Sequence, residues 1–384
     1  MPLAFTAMSD AELRNQYFDR LFGTPGLRWM GQNTNHVPLP EAVLQAMADS
    51  IAHDEFRAYA PPLGFEALRD GIARDLGLPG ARAMVTDGGV AALYHLCHAL
   101  LAPGDRFVTT DPGWKWPPVF ARAIGAEVIE VPVYDPACGY HLTAERLAGA
   151  VDGRTRAIYL VDPNNPLGTC VPADEMERIL GVARRAGAVL IHDCTYRHFA
   201  TAHTLAASLD PAPVVTIYSF SKWLGLAGLR VGALVAAPAL FERLAGAPPN
   251  NLGSNVTSQR AAMAGLAAQA EWFPGVQALQ RRNQAAIKAA ADGVPGLRLP
   301  VYPSHGNFLV VECEDAGVRP EALAGAMARR GILIRQGSYH TPRFGDRFVK
   351  VSTTVPGAWA DEFCAALPEA VAEARETTTV AALY

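Results

Sequence analysis

Lys222 stands where a lysine could do covalent chemistry on a carbonyl compound. It follows Val214-Val-Thr-Ile-Tyr218, a run with the β-branched and aromatic content of a buried strand, and lies in the glycine-containing stretch Ser219 to Gly232. A lysine amine attacks a carbonyl only when deprotonated, and desolvation or a neighbouring cation lowers its pKa enough for an imine to form. Arg230 is such a cation. Ser219 and Ser221 add hydroxyls, and Gly225, Gly228 and Gly232 permit close backbone approach, so this one stretch could hold a phosphate and an imine together. The plain alternative is a surface Lys and Arg in a glycine loop.

Four other stretches weigh against that alternative. Ala188-Val-Leu-Ile-His-Asp193 is almost entirely apolar, as a strand covered on both faces should be, and it ends on a carboxylate. A buried Asp193 needs a positive partner, which a protonated ring nitrogen would supply; a helix cap or a salt bridge to Arg197 would also serve. Tyr196 adds a phenol three residues on. Thr86-Asp-Gly-Gly-Val90 leads into a helical run, and a glycine turn that opens a helix presents free N–H groups and a favourable dipole to an anion, although a plain capped turn reads the same way. Asp111-Pro-Gly-Trp-Lys-Trp116 offers two exposed-looking indoles, and an indole at the mouth of a parallel sheet could stack on a planar ring, although a Trp is more often ordinary core. Asp162-Pro-Asn-Asn-Pro-Leu-Gly168 is a rigid turn whose amides can donate to a ring oxygen.

The elements that must carry these groups are legible from periodicity. Ser9 to Glu12 has the form of a capping box and starts a helix running toward Phe22. Further helices are expected over 41–52, 65–76, 91–101 and 172–186, and strands over 107–110, 128–133, 157–161, 188–193 and 214–218. Strands alternating with helices predict a mostly parallel sheet, whose ligands sit beyond the carboxyl ends of the strands, where every group named so far falls. After an Ala-rich helical region, Glu271-Trp-Phe-Pro274 and a polar helix over 276–291 look like a bridge to a second unit, with strands at 307–312, 331–335 and 348–352 and helices at 319–330 and 358–373. The tail from Thr377 has no clear pattern.

Composition excludes several classes. The 384 residues, half of them apolar, are enough for two units with a full core each. A net charge of -4 and the absence of a basic run argue against nucleic acid. The longest near-continuous apolar stretch, 231–241, is too short to span a bilayer and contains Pro238, and no secretory signal is visible, so no membrane role and a cytoplasmic location are expected. The six cysteines have no C-x-x-C spacing and read as reduced thiols. No His/Asp/Glu set has metal-ligand spacing, so no metal is expected, and there is no G-x-S-x-G turn of a serine hydrolase.

Taken together, Tyr59, Gly88-Gly89, Trp114, Asn165-Pro-Leu-Gly168, Asp193-x-x-Tyr196, Ser219-x-Ser-Lys222 and Arg230 resemble the fold-type I pyridoxal-phosphate enzymes of the aminotransferase class I/II group over nearly the whole chain. Leu226 to Gly232, Asn33-Thr-Asn35 and Gly331-Ile-Leu-Ile-Arg335 are most similar to the histidinol-phosphate aminotransferase branch. The resemblance implies a three-layer α/β/α large domain with a mostly parallel sheet over 46–270, a smaller α+β domain over 271–384, and an N-terminal arm and segment, 1–45, packing on the small domain. It implies pyridoxal 5'-phosphate as cofactor, with Lys222 forming the Schiff base and shuttling the proton, Asp193 on the pyridine nitrogen, and Asn165 and Tyr196 on the ring oxygen. Trp114 would stack on the ring. Gly88, Gly89, Val90, Ser219, Ser221 and Arg230 would hold the phosphate, and Tyr59 would reach over from a second subunit, making a homodimer with composite sites. Asn33, Arg335 and Lys350 would meet the substrate.

Three departures bear on the reaction. Many relatives carry an arginine that grips the substrate α-carboxylate with two prongs where this chain has Lys350, a point charge without the fork. The group's frequent Asp-Glu-Ala-Tyr is Asp193-Cys-Thr-Tyr196, and the hydroxylated or acidic residue usual after the phosphate glycine is Val90. The expected reaction is transfer of an amino group between an L-amino acid and a 2-oxo acid; the alternative is decarboxylation, oxidation, elimination or C–C bond formation on the same fold.

Overall fold

The computed structural model describes residues 9–246 and 250–378. Among the described residues twelve strands fall in three sheets: β1 (Arg28–Trp29), β2 (Arg82–Thr86), β3 (Arg106–Asp111), β4 (Glu127–Pro132), β5 (Thr155–Val161), β6 (Val189–Asp193), β7 (Val214–Ser219), β8 (Gly232–Ala236), β9 (Phe308–Glu312), β10 (Ile332–Leu333), β11 (Arg335–Gln336) and β12 (Phe348–Ser352). The central sheet has the order β2-β8-β7-β6-β5-β3-β4, parallel throughout except for β8, which runs against both its neighbours. Strands β6, β7 and β8 are buried along their whole length, which explains their unbroken apolar sequence: helices cover both faces and leave no polar side. The expected mostly parallel, helix-covered sheet is therefore present, and the ends of β5, β6 and β7 lie side by side.

The smaller unit is an antiparallel sheet, β11-β12-β9, backed by the helices Pro320–Arg329 and Gly357–Glu376 around its own core of Leu309, Val311, Leu323, Met327, Val351 and Phe363. The segment 331–335, expected as one strand, is two: β10 pairs with β1 and β11 with β12, so the chain changes sheets at Ile334. A change of partner leaves no mark on hydrophobic periodicity. The swap brings Gly31 against the Ile334 backbone, where an added Cβ would lie 3.0 Å from the carbonyl carbon.

Pro274 does not end a helix. One 37-residue helix, Val256–Asp292, runs through it, although proline forfeits a hydrogen bond and crowds the preceding turn. Packing outweighs that cost, because Phe273 and Val276 beside it belong to the core of the large sheet. Its polar second half is buried too: Gln280 donates to Gly306 O at 2.8 Å, Asn283 to Thr353 O at 3.0 Å and Val355 O at 2.9 Å, and Gln284 to Ser304 O at 3.1 Å. These amides satisfy loop carbonyls that would otherwise be buried without donors. The first helix, Asp10–Phe22, has the expected capping box, with Ser9 N donating to Glu12 Oε2 at 2.7 Å and Glu12 N to Ser9 Oγ at 3.3 Å. Of the tail, residues beyond 378 lie outside the described range.

Candidate active site

The ends of β5, β6 and β7 open into a cavity of about 370 Å³, which the small unit covers with residues 31–34, Arg335, Tyr339, His340 and Lys350. Asn165 reaches it from the turn after β5, Asp193, Thr195 and Tyr196 from the end of β6, and Ser219, Ser221 and Lys222 from the end of β7. Gly89 and Val90 come from the start of the helix Gly89–Leu100, and Arg230 from the residue pair before β8. Asp193 and Lys222 follow adjacent strands, since β6 and β7 pair directly.

Lys222 Nζ donates to Gln32 O at 3.0 Å. Burial of its amine, with Arg230 adding repulsion and Asp193 opposing both, brings its pKa down to about 8. Asp193 is buried; its Oδ2 accepts from Tyr159 Oη at 2.8 Å and its Oδ1 from Thr195 N at 3.1 Å. Burial raises the Asp193 pKa, and those donors pull the other way. Arg197, the salt-bridge partner that sequence left open, pairs with Asp75 instead. On the facing side Asn33 Nδ2 donates to Tyr196 Oη at 3.0 Å, and Lys350 Nζ donates to Asn165 Oδ1 at 3.2 Å. Asn33 Oδ1 is buried with no hydrogen-bond partner among the described residues.

The anion cradle is built on glycine. Gly88 has φ +82°, and a Cβ there would lie 2.5 Å from Arg230 Nη2; at Gly232 a Cβ would lie 2.7 Å from Gly89 N and 2.8 Å from Tyr218 O. Gly228, by contrast, faces open space, so the expectation that it permits close approach is not met. The N-cap at Gly88 offers no side chain to the helix, leaving the first N–H groups beside the Ser219, Ser221 and Arg230 side chains. Arg230 holds a left-handed φ of +53° and donates to Ala227 O at 2.7 Å. This donor set, an adjacent amine of lowered pKa and a buried carboxylate fit an anionic ring aldehyde.

The model of the family "Aminotransferase class I and II" matches residues 26–367. The chain belongs to that family. Among its relatives, a histidinol-phosphate aminotransferase of Rhodospirillum centenum is 32% identical over 76% of this chain and 81% of its own length. An aromatic amino acid aminotransferase of Rhodococcus opacus is 31% identical over 86% of this chain and 87% of its own. The solved aspartate aminotransferase of Thermus thermophilus with maleate has the same fold, with a TM-score of 0.82 at 21% identity over 94% of this chain and 97% of that one. The protein is thus a transferase that uses pyridoxal 5'-phosphate.

Of the residues expected to bind that cofactor, the aminotransferase brings Gly89, Val90, Trp114, Asn165, Asp193, Tyr196, Ser219, Ser221, Lys222 and Arg230 to one cavity, with Gly88 just beneath Arg230; Asn33, Arg335 and Lys350 join them. Tyr59 is not there: it is 80% exposed and borders a separate surface depression with Phe56 and Leu252. Trp114 and Trp116 are half-buried and not exposed. Sequence missed Tyr159, Thr195, Arg14, Phe18, Gln32, Tyr339 and His340. Only Tyr159 carried a signal, a lone phenol in an apolar strand that needs an acceptor. Metal-ligand spacing also failed to show that His192, Cys194 and His203 bring ligand atoms within 4.8 Å of one another, because the loop after β6 folds back; His203 Nε2 lies 3.2 Å and His192 Nε2 3.5 Å from Asp162 Oδ2.

Proposed function

We propose that this aminotransferase moves an amino group between an L-amino acid and a 2-oxo acid, with Lys222 as the residue that holds the cofactor covalently. The observation that carries this is a buried amine of lowered pKa on β7 facing a buried carboxylate on β6, beside an anion cradle. Pyridoxal phosphate supplies an aldehyde carbon and an electron-withdrawing ring. Gly89, Val90, Ser219, Ser221 and Arg230 would hold its phosphate, Asp193 its ring nitrogen, Asn165 and Tyr196 its ring oxygen, and Trp114 its ring face. Tyr159 and Thr195 keep Asp193 oriented and favour its ionised form against burial. Lys222, freed as an amine, takes the proton from the substrate Cα and returns it, a step its pKa of about 8 suits near neutral pH. Arg335 and Lys350 bind the substrate carboxylate, and the small unit over the cavity excludes water.

The relatives named for histidinol phosphate and for aromatic amino acids support an amino-group donor with a flat or anionic arm. We also infer a homodimer with composite sites, to which Tyr59 contributes across the interface; its exposure on the surface of one chain supports this. The proposed site of action is the cytoplasm, supported by six free cysteines. Among the described residues no helix is long and apolar enough to cross a membrane. A second reading, chemistry other than transamination, is favoured by the Lys350 contact to Asn165, a point charge where the resemblance implies a two-pronged guanidinium in many relatives. One experiment separates the two: treat the cofactor-loaded protein with a panel of L-amino acids and follow the pyridoxal absorbance. Bleaching that reverses on adding a 2-oxo acid supports transamination; released carbon dioxide or consumed oxygen without reversal supports the second reading.

A further inference from the structure

On the face of the sheet away from the cavity, the ends of β5 and β6 carry a second cluster that the reaction does not use. His192 and Asp193 are consecutive residues of β6, so their side chains leave opposite faces: Asp193 lines the cavity and His192 is buried behind it. There the loop after β6 turns back and sets His203 against His192, the two rings stacked with centres 5.3 Å apart and planes 11° apart. Cys194 Sγ lies 3.5 Å from His192 Nδ1, and one ligand atom from each of His192, Cys194 and His203 falls within 4.8 Å of the others. Asp162, just past β5, closes the group, with its Oδ2 3.5 Å from His192 Nε2 and 3.2 Å from His203 Nε2.

Hydrogen bonds within the protein do not satisfy this cluster. Asp162 Oδ1 accepts from Val171 N at 2.9 Å, but Asp162 Oδ2 and His192 Nε2 are buried without a hydrogen-bond partner among the described residues. At 3.5 Å the two are farther apart than an ordinary N–H···O bond. Among the described residues no Lys or Arg lies within ion-pair distance of Asp162; the two imidazoles are its neighbours of that kind. His203 Nε2 meets the Asp162 main-chain O at 3.1 Å, and His192 Nδ1 takes one long bond, from Ala206 N at 3.3 Å. Buried polar atoms left short of partners cost stability, and a cation among them removes that cost.

We propose that His192, Cys194 and His203 bind one divalent transition-metal ion, zinc by the chemistry of the set, with Asp162 as the balancing carboxylate. Two imidazoles and a thiolate suit zinc, whereas magnesium and calcium take oxygen. A tetrahedral zinc with bonds of about 2.0 Å to nitrogen and about 2.3 Å to sulfur holds those atoms about 3.5 Å apart, the spacing of His192 Nδ1 and Cys194 Sγ. Binding at Nδ1 displaces the long Ala206 bond and fixes the hydrogen of His192 on Nε2, where it faces Asp162 Oδ2. Cys194 gives up its proton to solvent on binding. Thiolate and carboxylate then cancel the charge of the ion, as burial requires. The ion takes no part in amino transfer: it fastens the turn that carries Asn165 to the strand end that carries Asp193.

Metal content tests it. Protein without an affinity tag, loaded with cofactor, is stripped with a chelator, given zinc and desalted. About one zinc per chain should stay bound and raise the thermal midpoint by about 5 °C or more. Cobalt(II) in its place should show the strong visible bands of a tetrahedral site and a thiolate charge-transfer band. Cys194→Ser, close in size to the parent, should abolish the charge-transfer band and, like His203→Gln, weaken zinc binding about a hundredfold or more; Asp162→Asn should weaken it about ten- to hundredfold. Cys364→Ser, on the helix Gly357–Glu376 of the small unit, should leave zinc binding as it was. Substoichiometric zinc with an unmoved midpoint reduces the cluster to packed imidazoles and overturns the site. Stoichiometric zinc that survives both Cys194→Ser and His203→Gln overturns it too, since the ion then sits elsewhere on the chain.

Discussion

At the scale of single residues, the site depends on keeping one amine neutral. Burial and Arg230 together lower the Lys222 pKa, and Asp193 limits the drop. The amine reacts only when unprotonated, so the rate at which cofactor-free protein captures pyridoxal phosphate should rise with pH through a midpoint of about 8 and level off above it. Arg230→Gln removes a cation and should move that midpoint upward, which stopped-flow absorbance would register; a midpoint that stays put means that Arg230 does not act on Lys222. Lys222→Ala should abolish the absorbance of covalently held cofactor and lower turnover roughly a thousandfold or more. Retention of that band would overturn the assignment of the lysine.

At the scale of elements, the cradle requires β8 to press against the start of the helix Gly89–Leu100. Gly232→Ala would drive a Cβ into two backbone atoms, Gly89 N and Tyr218 O, neither of which can rotate away. We expect a loss of roughly 2–3 kcal/mol in denaturant unfolding. Gly228→Ala meets nothing and should stay within about 0.5 kcal/mol of the parent. The pairing of β11 with β12 likewise sets Arg335 beside Lys350. Lys350→Arg restores a two-pronged donor there and should tighten simple amino acids about three- to tenfold. Unchanged affinity in an equilibrium titration would remove Lys350 from the carboxylate.

At the scale of the molecule, the helix Val256–Asp292 joins the two units, with Phe273 in the core of the large sheet and Ile287 in that of the small one, so the small sheet can place its cations over the ends of the large one. Tyr59 lies outside that arrangement in a single chain. If the sites are composite, chains carrying Lys222→Ala and Tyr59→Ala, each impaired alone, should regain activity when mixed and exchanged, since one site of each mixed pair is then intact. Sedimentation should show a mass near twice 41.0 kDa. Additive, unrestored activity in the mixture would place Tyr59 elsewhere.

The large sheet and most of the groups that line the cavity were legible along the chain, because strand ends, glycine turns and a capping box are local signals that neighbours within a few residues impose. Lys222, Asp193, Asn165 and Gly89 each sit at such a junction, and the alternation of strand and helix is enough to bring junctions of a parallel sheet to one edge. What periodicity does not record is who meets whom across the fold. The switch of 331–335 between two sheets, the continuity of a helix through Pro274, the phenol of Tyr159 under Asp193 and the approach of Arg14 to Trp116 all depend on contacts between residues distant along the chain. Local sequence determined the chemistry that the site can host, and tertiary packing decided how much charge surrounds it, because burial and cation spacing exist only once the two units close on each other.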